Sequence, residues 1–97
     1  MSAISTNQLP AAYCGKDQLT ALSTVKSLSP PANARWAILV PESQAIRISL
    51  AGGSPGTPTA ADMLIAVGQP VEITTSLADV RVLEAAASAK VNVWYFG

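Results

Sequence analysis

The chain ends in the run KVNVWYFG (90–97), which would place large apolar side chains on both faces of a strand. Successive side chains of a strand point to opposite faces. One face would hold two valines and Tyr95, and the other would hold Asn92, Trp94 and Phe96. We therefore expect a central strand, with its valine and Tyr95 face on the domain core and its opposite face against a neighbouring subunit. The reverse assignment of the two faces stays open, because the sequence does not specify the register.

Short strand-forming segments recur along the chain between loops rich in proline and glycine. Apolar and polar residues alternate in QAIRISLA (44–51) and VEITT (71–75), whereas RWAILV (35–40) and MLIAV (63–67) are continuous apolar runs. The proline and glycine clusters between them are typical of turns and loops. The pattern predicts an all-β protein, a small antiparallel β-sandwich or barrel of about seven or eight short strands.

Two pairs of neighbouring segments predict antiparallel hairpins, because little chain separates their strands. The first strand of the first pair is expected to stop at Pro41, so that PES (41–43) turns the chain into 44–51. The second pair would join a strand at 79–85 to the C-terminal strand at 90–96. MLIAV is expected to be buried, and the looser alternation over residues 18–28 indicates one further strand.

Residues 77–88 allow two interpretations. Ser76 and Asp79 occupy the N-cap and N3 positions of a capping box, and the alanines that follow favour a helix. The alternation of VRV (80–82) favours a strand over 79–85 instead. Local preference alone slightly favours the helix, and both interpretations stay open at this point.

The length predicts one β domain over residues 13–97, preceded by a flexible N-terminal arm at residues 1–12. No segment approaches the roughly 20 apolar residues of a membrane helix. The first residues carry neither the basic nor the apolar region of a secretory signal, so we expect synthesis in a cytoplasm. Cys14 is the single cysteine, and we expect it to be a small hydrophobic residue rather than a reactive thiol.

The charge content indicates which partners to expect. Only 12% of the residues are charged and 49% are hydrophobic, whereas soluble chains average about 25% charged residues. A small domain with so few charges exposes apolar surface, which usually marks contact sites. The net charge is zero and the basic residues are scattered, so we expect neither nucleic acid nor an anionic membrane as a partner.

No motif predicts catalysis, a metal or a cofactor. GGSPG (52–56) fits the nucleophile motif G-x-S-x-G, but the chain has no histidine to act as a base. STVK (23–26) fits S-x-x-K without its companion motifs. With no histidine and one cysteine, the usual ligands of zinc, copper and iron are missing. We expect a protein that is not an enzyme, with no catalytic, cofactor-binding or metal-ligating residues.

From Ala32 to Phe96 the order of segments resembles small β-structured virion proteins of tailed bacteriophages. The stretches that carry the resemblance are PANARWAILVPESQAIRISL, PTAADM, IAVGQPVEI and LADVRVLEAAASAKVNVWYF. The resemblance implies a small antiparallel sandwich or barrel, and it favours the strand over the helix at 79–85. It also implies an accessory structural role in a capsid or tail, and it supplies no active-site residues. The loop at 51–62 is longer here than in those proteins.

The leading hypothesis is a non-enzymatic virion protein, a decoration or cement subunit that stabilises the head lattice. Its partners would be copies of itself and the major capsid protein or another virion protein, and it would be made in the host cytoplasm. The residues expected at the interface are Trp94, Phe96, Asn92 and Trp36.

Two alternatives stay open. One is a structural protein of the tail, neck or fibre. The other is a carbohydrate-binding β-sandwich, in which Trp36, Trp94, Tyr13 or Tyr95 would stack on sugar rings.

Overall fold

The computed structural model describes residues 12–97, which form two antiparallel sheets of four strands each. The strands are β1 (Tyr13–Leu19), β2 (Lys26–Ser27), β3 (Trp36–Glu42), β4 (Ile46–Ser49), β5 (Met63–Ile65), β6 (Val71–Ile73), β7 (Arg81–Glu84) and β8 (Lys90–Phe96). A single 3₁₀ turn, Leu77–Asp79, precedes β7, and residues 12–97 contain no α-helix. The predicted all-β antiparallel fold is therefore confirmed. The predicted N-terminal arm lies outside the described residues, apart from Ala12.

Sheet A has the strand order β1-β8-β3-β6, and sheet B has the order β2-β7-β4-β5. Strand β8 is central, because it pairs with β1 on one edge and with β3 on the other. The two sheets enclose one apolar core. Its buried residues are Leu22, Leu28, Ala37, Leu39, Ile46, Ile48, Ile65, Ile73, Leu77, Val80, Val82, Ala89, Val91, Val93 and Tyr95.

Strand β8 has the first of the two face assignments that its alternation allows. Val91, Val93 and Tyr95 are buried in the core, while Trp94 is more than half exposed on the opposite face. Fully burying one side chain of this size contributes about 1.5–3 kcal/mol. Burial of Val91, Val93 and Tyr95 therefore determines which face of β8 points into the core. Side chains on the opposite face do not have to pack in the core.

The predicted hairpin between residues 35–40 and 44–51 is wrong. Strands β3 and β4 lie in different sheets, and the turn between them carries the chain across the core. Both edges of β3 are already paired, with β8 and with β6, so no edge is left for β4. Ser43 turns the chain with φ 71°, and its hydroxyl donates to the Ser88 carbonyl at 2.9 Å. The turn also lacks the glycine that two-residue hairpins favour.

The predicted C-terminal hairpin is also wrong, because its two strands lie in different sheets. The strand over 79–85 exists as β7, but β7 pairs with β2 and β4 in sheet B rather than with β8. The connection crosses between the sheets and buries Ala89 in the core. The helix alternative does not form, and the side chain of Ser76 makes no capping hydrogen bond.

The predicted strand over residues 18–28 is interrupted. Strand β1 ends at Leu19, the chain turns at Ala21 with φ 56°, and β2 begins only at Lys26. Leu22, in the turn between these two strands, is a core residue that is only 1% exposed. The carbonyl of Leu22 accepts a hydrogen bond from the backbone N–H of Glu84 at 2.9 Å, which holds this turn against sheet B.

Two smaller expectations also fail. Strand β5 is an edge strand rather than a buried one, and Met63 and Leu64 are about half exposed. Strand β3 continues through Pro41 to Glu42. The Pro41 carbonyl accepts from the Gly68 N–H, which lies just before β6. The Pro41 nitrogen points to the same edge of β3 as the Pro41 carbonyl. The ladder between β3 and β6 ends at Leu39, so no strand requires a hydrogen-bond donor from position 41 on that edge.

Candidate interaction face

The structure brings all four residues predicted for an interface onto one surface, the outer face of sheet A. Trp36 lies on β3, and Asn92, Trp94 and Phe96 lie on β8, each pointing away from the core. The cross-strand register completes this face. It consists of Tyr13, Lys16 and Gln18 on β1, Lys90, Asn92, Trp94 and Phe96 on β8, Trp36, Ile38, Val40 and Glu42 on β3, and Glu72 on β6.

Four aromatic side chains form a cluster at one end of this face. Trp36 and Phe96 stack with their ring centroids 4.5 Å apart. The ring of Tyr13 meets Trp94 at 6.0 Å and Phe96 at 6.2 Å, both in T-shaped arrangements. The chain has five aromatic residues in all, so only Tyr95 lies elsewhere. Edge-to-face and offset pairs of this kind hold each other in place.

The cluster remains exposed although its rings contact one another. Tyr13 is 55% exposed and Trp94 is 53% exposed, while Trp36 and Phe96 are half-buried. Ile38 and Val40 extend the apolar surface along β3 and are also half-buried. Exposed apolar surface that is contiguous and rimmed by polar groups marks contact sites in soluble proteins.

A hydrogen-bonded polar group occupies the face beyond Trp94. The Gln18 amide donates to Glu42 Oε1 at 3.2 Å and to Asn92 Oδ1 at 2.9 Å. The Asn92 amide in turn donates to Glu42 Oε2 at 3.4 Å. These bonds link β1, β8 and β3, so the three polar side chains are held in fixed positions beside the aromatic cluster.

The outer side of sheet B differs from that of sheet A, because the loop between β4 and β5 is hydrogen-bonded to arginines of sheet B. Arg81 donates from Nε and Nη2 to the Gly53 carbonyl, at 3.1 and 2.8 Å. Arg47 donates to the carbonyls of Ala60 and Asp62, at 3.4 and 3.2 Å. The loop between β4 and β5 thus provides partners for the arginines of sheet B, whereas the outer face of sheet A carries no such loop among the described residues.

The sequence analysis did not identify the contribution of β1 to the face. The ladder between β1 and β8 is irregular between Tyr13 and Gly15, which is where a β-bulge inserts one residue. Tyr13 and Lys16 therefore share a face although they are three residues apart, and simple alternation would separate them. The glycine at position 15, with φ 149°, is the one sequence signal for this irregularity.

Tyr95 is removed from the candidates for ligand stacking. It is 1% exposed, and its hydroxyl accepts a hydrogen bond from the Ser29 N–H at 3.2 Å. Burial raises the pKa of the Tyr95 hydroxyl above its usual 10.0, and the nearby charge of Asp17 acts in the same direction. Tyr95 therefore anchors the loop at Ser29 to sheet A from inside the core.

The structure also locates the other residues that were considered for metal binding or catalysis. Within residues 12–97 there is no group of three or more histidine, cysteine or acidic residues that could hold a metal ion. Cys14 is a free, half-buried thiol next to the Ala12 carbonyl. Ser54, from the discarded nucleophile motif, is exposed in the loop between β4 and β5.

No helix of the described chain is long and apolar enough to cross a membrane. No protein-family model matches the chain, and no curated protein or solved structure matches it at a significant level.

Proposed function

We propose that this protein is a non-enzymatic structural subunit of a phage virion, and specifically a decoration or cement protein of the head lattice. Two arguments support the proposal. The segments from Ala32 to Phe96 resemble small virion proteins of tailed bacteriophages. The outer face of sheet A offers an aromatic surface suited to contact with a neighbouring subunit.

The observation that carries the proposal is the concentration of aromatic residues on one sheet face that residues 12–97 leave exposed. Tyrosine, tryptophan and phenylalanine are enriched at protein interfaces, and buried aromatic anchors dominate their binding energy. Four of the five aromatic residues of the chain lie on this face. A subunit of this kind acts mechanically, because many modest contacts repeated by symmetry hold neighbouring capsomers together.

The proposed partners are other copies of the chain and the major capsid protein or another virion protein. The chain would be made in the host cytoplasm and incorporated into the virion. A structural protein of the tail, neck or fibre would use the same surface, and it would differ in its copy number.

Quantitative mass spectrometry of purified virions tests the proposal. The amount of this chain is compared with that of the major capsid protein in the same particles. A ratio near one, or a simple fraction of one, supports a lattice-wide decoration protein. A ratio of a few per cent assigns the chain to the tail, neck or vertex. Complete absence from the particles overturns the virion proposal.

A carbohydrate-binding module is the second candidate, and one observation favours it. The exposed ring of Trp94 lies beside the ordered amides of Gln18 and Asn92 and the carboxylate of Glu42. The C–H face of a sugar can stack on a flat apolar ring, and its hydroxyl groups can form hydrogen bonds with the planar groups beside that ring. Quenching of tryptophan fluorescence by oligosaccharides, lost in Trp94→Ala and kept in Tyr13→Ala, would support this function.

A further inference from the structure

Charges of opposite sign lie at the two edges of sheet A, with apolar residues between them. Lys16 on β1 is opposite Trp94, Trp94 is opposite Ile38, and Ile38 is opposite Glu72 on β6. Lys16 and Glu72 are both exposed. This row therefore runs across the sheet as cation, indole, aliphatic side chain and anion.

Two further rows follow a compatible order, and the row of Asn92 on β8 and Val40 on β3 carries no charge. Toward one end of the strands, Phe96 on β8 pairs with Trp36 on β3. Toward the other end, Lys90 on β8 pairs with Glu42 on β3. Across the boundary between β8 and β3, the aromatic ring of Phe96 is therefore opposite another aromatic ring, and the cation Lys90 is opposite the anion Glu42.

We infer that the outer face of sheet A binds a second copy of the chain, about a two-fold axis that lies between β8 and β3 and parallel to them. Rotation about this axis places each row of one copy against the same row of the second copy, in the opposite order. Lys16 then faces Glu72 of the second copy, and Trp94 faces Ile38 of that copy. The interface is isologous, so each of these contacts occurs twice.

The alternative two-fold axis, running across the strands, is disfavoured by charge. It would stack β1 on β1 and β6 on β6, which would bring Lys16 toward another Lys16 and Glu72 toward another Glu72. Like charges placed together across an interface repel each other and disfavour this arrangement. Charge complementarity therefore selects the axis parallel to the strands.

The size of the face predicts the strength of the dimer. Three strands of seven residues and the three-residue strand β6, spaced about 4.8 Å apart, give roughly 400 Å² of flat area per copy. Stable interfaces bury about 800 Å² of accessible surface on each partner, and a single flat sheet face of this area stands at the small end of that class, so we expect this dimer to be weak in isolation. It becomes persistent where a lattice holds the two copies together. This inference rests on the proposed function only in taking the outer face of sheet A as the interaction surface.

A charge-swap experiment tests the arrangement by sedimentation velocity over a range of protein concentrations. We expect Lys16→Glu and Glu72→Lys each to weaken self-association at least about tenfold, because each creates two like-charge contacts. The double variant Lys16→Glu/Glu72→Lys should recover association to within a few-fold of the wild-type protein. Mixing the two single variants should yield a heterodimer, since both of its charge pairs are then complementary.

Controls separate the interface from folding. Lys26 lies on β2 of sheet B, away from the proposed interface, so Lys26→Glu should leave self-association unchanged. Thermal unfolding of every variant is measured to check that the domain is intact. A wild-type protein that stays monomeric at the highest attainable concentration overturns the inference, as does a double variant that shows no recovery.

The outcomes for the dimer and for the virion are independent. A chain that is absent from virions but responds to the charge swap as described overturns the proposed function and leaves the interface standing. A chain that is present in virions but does not respond to the charge swap overturns the interface and leaves the proposed function standing.

Discussion

Trp36 and Phe96 are cross-strand partners on the two central strands of sheet A, and their rings stack with an interplanar angle of 18°. The pair forms a flat apolar surface at the end of the outer face, and Tyr13 meets its edge through Phe96. Rings that are ordered before a partner arrives lose little entropy on binding. The aromatic cluster therefore lies outside the core and presents rings that already contact one another at the surface.

The first prediction separates assembly from folding at Trp94. Trp94→Ala removes a half-exposed ring, so the free energy of unfolding should fall by no more than about 1 kcal/mol. Self-association, measured by sedimentation velocity, should weaken at least about tenfold, as expected for an interface anchor. Val93→Ala is the control on the core side of β8, and it should cost about 2 kcal/mol of stability without affecting association of the folded protein. A Trp94→Ala variant that loses stability yet still associates normally would contradict the prediction.

The second prediction concerns the turn that interrupts the predicted strand over 18–28. Leu22→Ala leaves a cavity in the core and should lower the free energy of unfolding by about 2–5 kcal/mol in a denaturant titration. Leu64→Ala is the matched control, because Leu64 is 53% exposed on the edge strand β5. That variant should stay within about 0.5 kcal/mol of the wild-type protein. Equal effects of the two substitutions would show that Leu22 does not belong to the core.

The third prediction compares two glycines that both have positive φ. Gly56 has φ 68°, and a Cβ there would collide with the Gly52 carbonyl and crowd Arg81. Gly56→Ala should therefore cost about 2 kcal/mol or more in the free energy of unfolding. Gly68, with φ 78°, has open space around it, so Gly68→Ala should cost only the conformational term, about 1 kcal/mol. A Gly56→Ala variant no less stable than Gly68→Ala would refute the packed arrangement of this loop.

The fourth prediction is a loss of stability at high pH that depends on Tyr95. Burial raises the pKa of Tyr95 in the folded protein above the unfolded value of 10.0. The unfolded chain therefore releases this proton first, and the stabilising contribution, complete below pH 10, is lost as the pH rises through the folded pKa. Tyr95→Phe should flatten this part of the curve of unfolding free energy against pH. It should also lower stability near neutral pH by about 1 kcal/mol, because the Ser29 N–H loses its acceptor.

Tyr13→Phe is the control for the pH experiment. Tyr13 is exposed and lies on the outer face of sheet A, outside the core. Its substitution should leave the steepness of the alkaline loss of stability unchanged. A curve that is the same for the wild-type protein and Tyr95→Phe would show that Tyr95 is not responsible.

The sequence by itself determined the class of the fold and the two faces of the C-terminal strand. Alternation with a period of two is a local property, so Val93 and Trp94 could be assigned to opposite faces without any knowledge of their neighbours. The same alternation placed Asn92, Trp94 and Phe96 together. It could not assign Tyr13 and Lys16 to that face, because the irregularity at Gly15 changes the period within β1.

Only the tertiary structure decided which strands pair. The short connections β3–β4 and β7–β8 predicted hairpins, yet each one crosses from one sheet to the other. A short connection fits either route, and the choice depends on whether a strand edge is free. Strands β3 and β8 pair with each other although about 50 residues separate them in sequence, and their remaining edges pair with β6 and β1. Hydrogen-bond partners so distant in the chain leave no mark on local sequence, and burial of the shared core is what selects them.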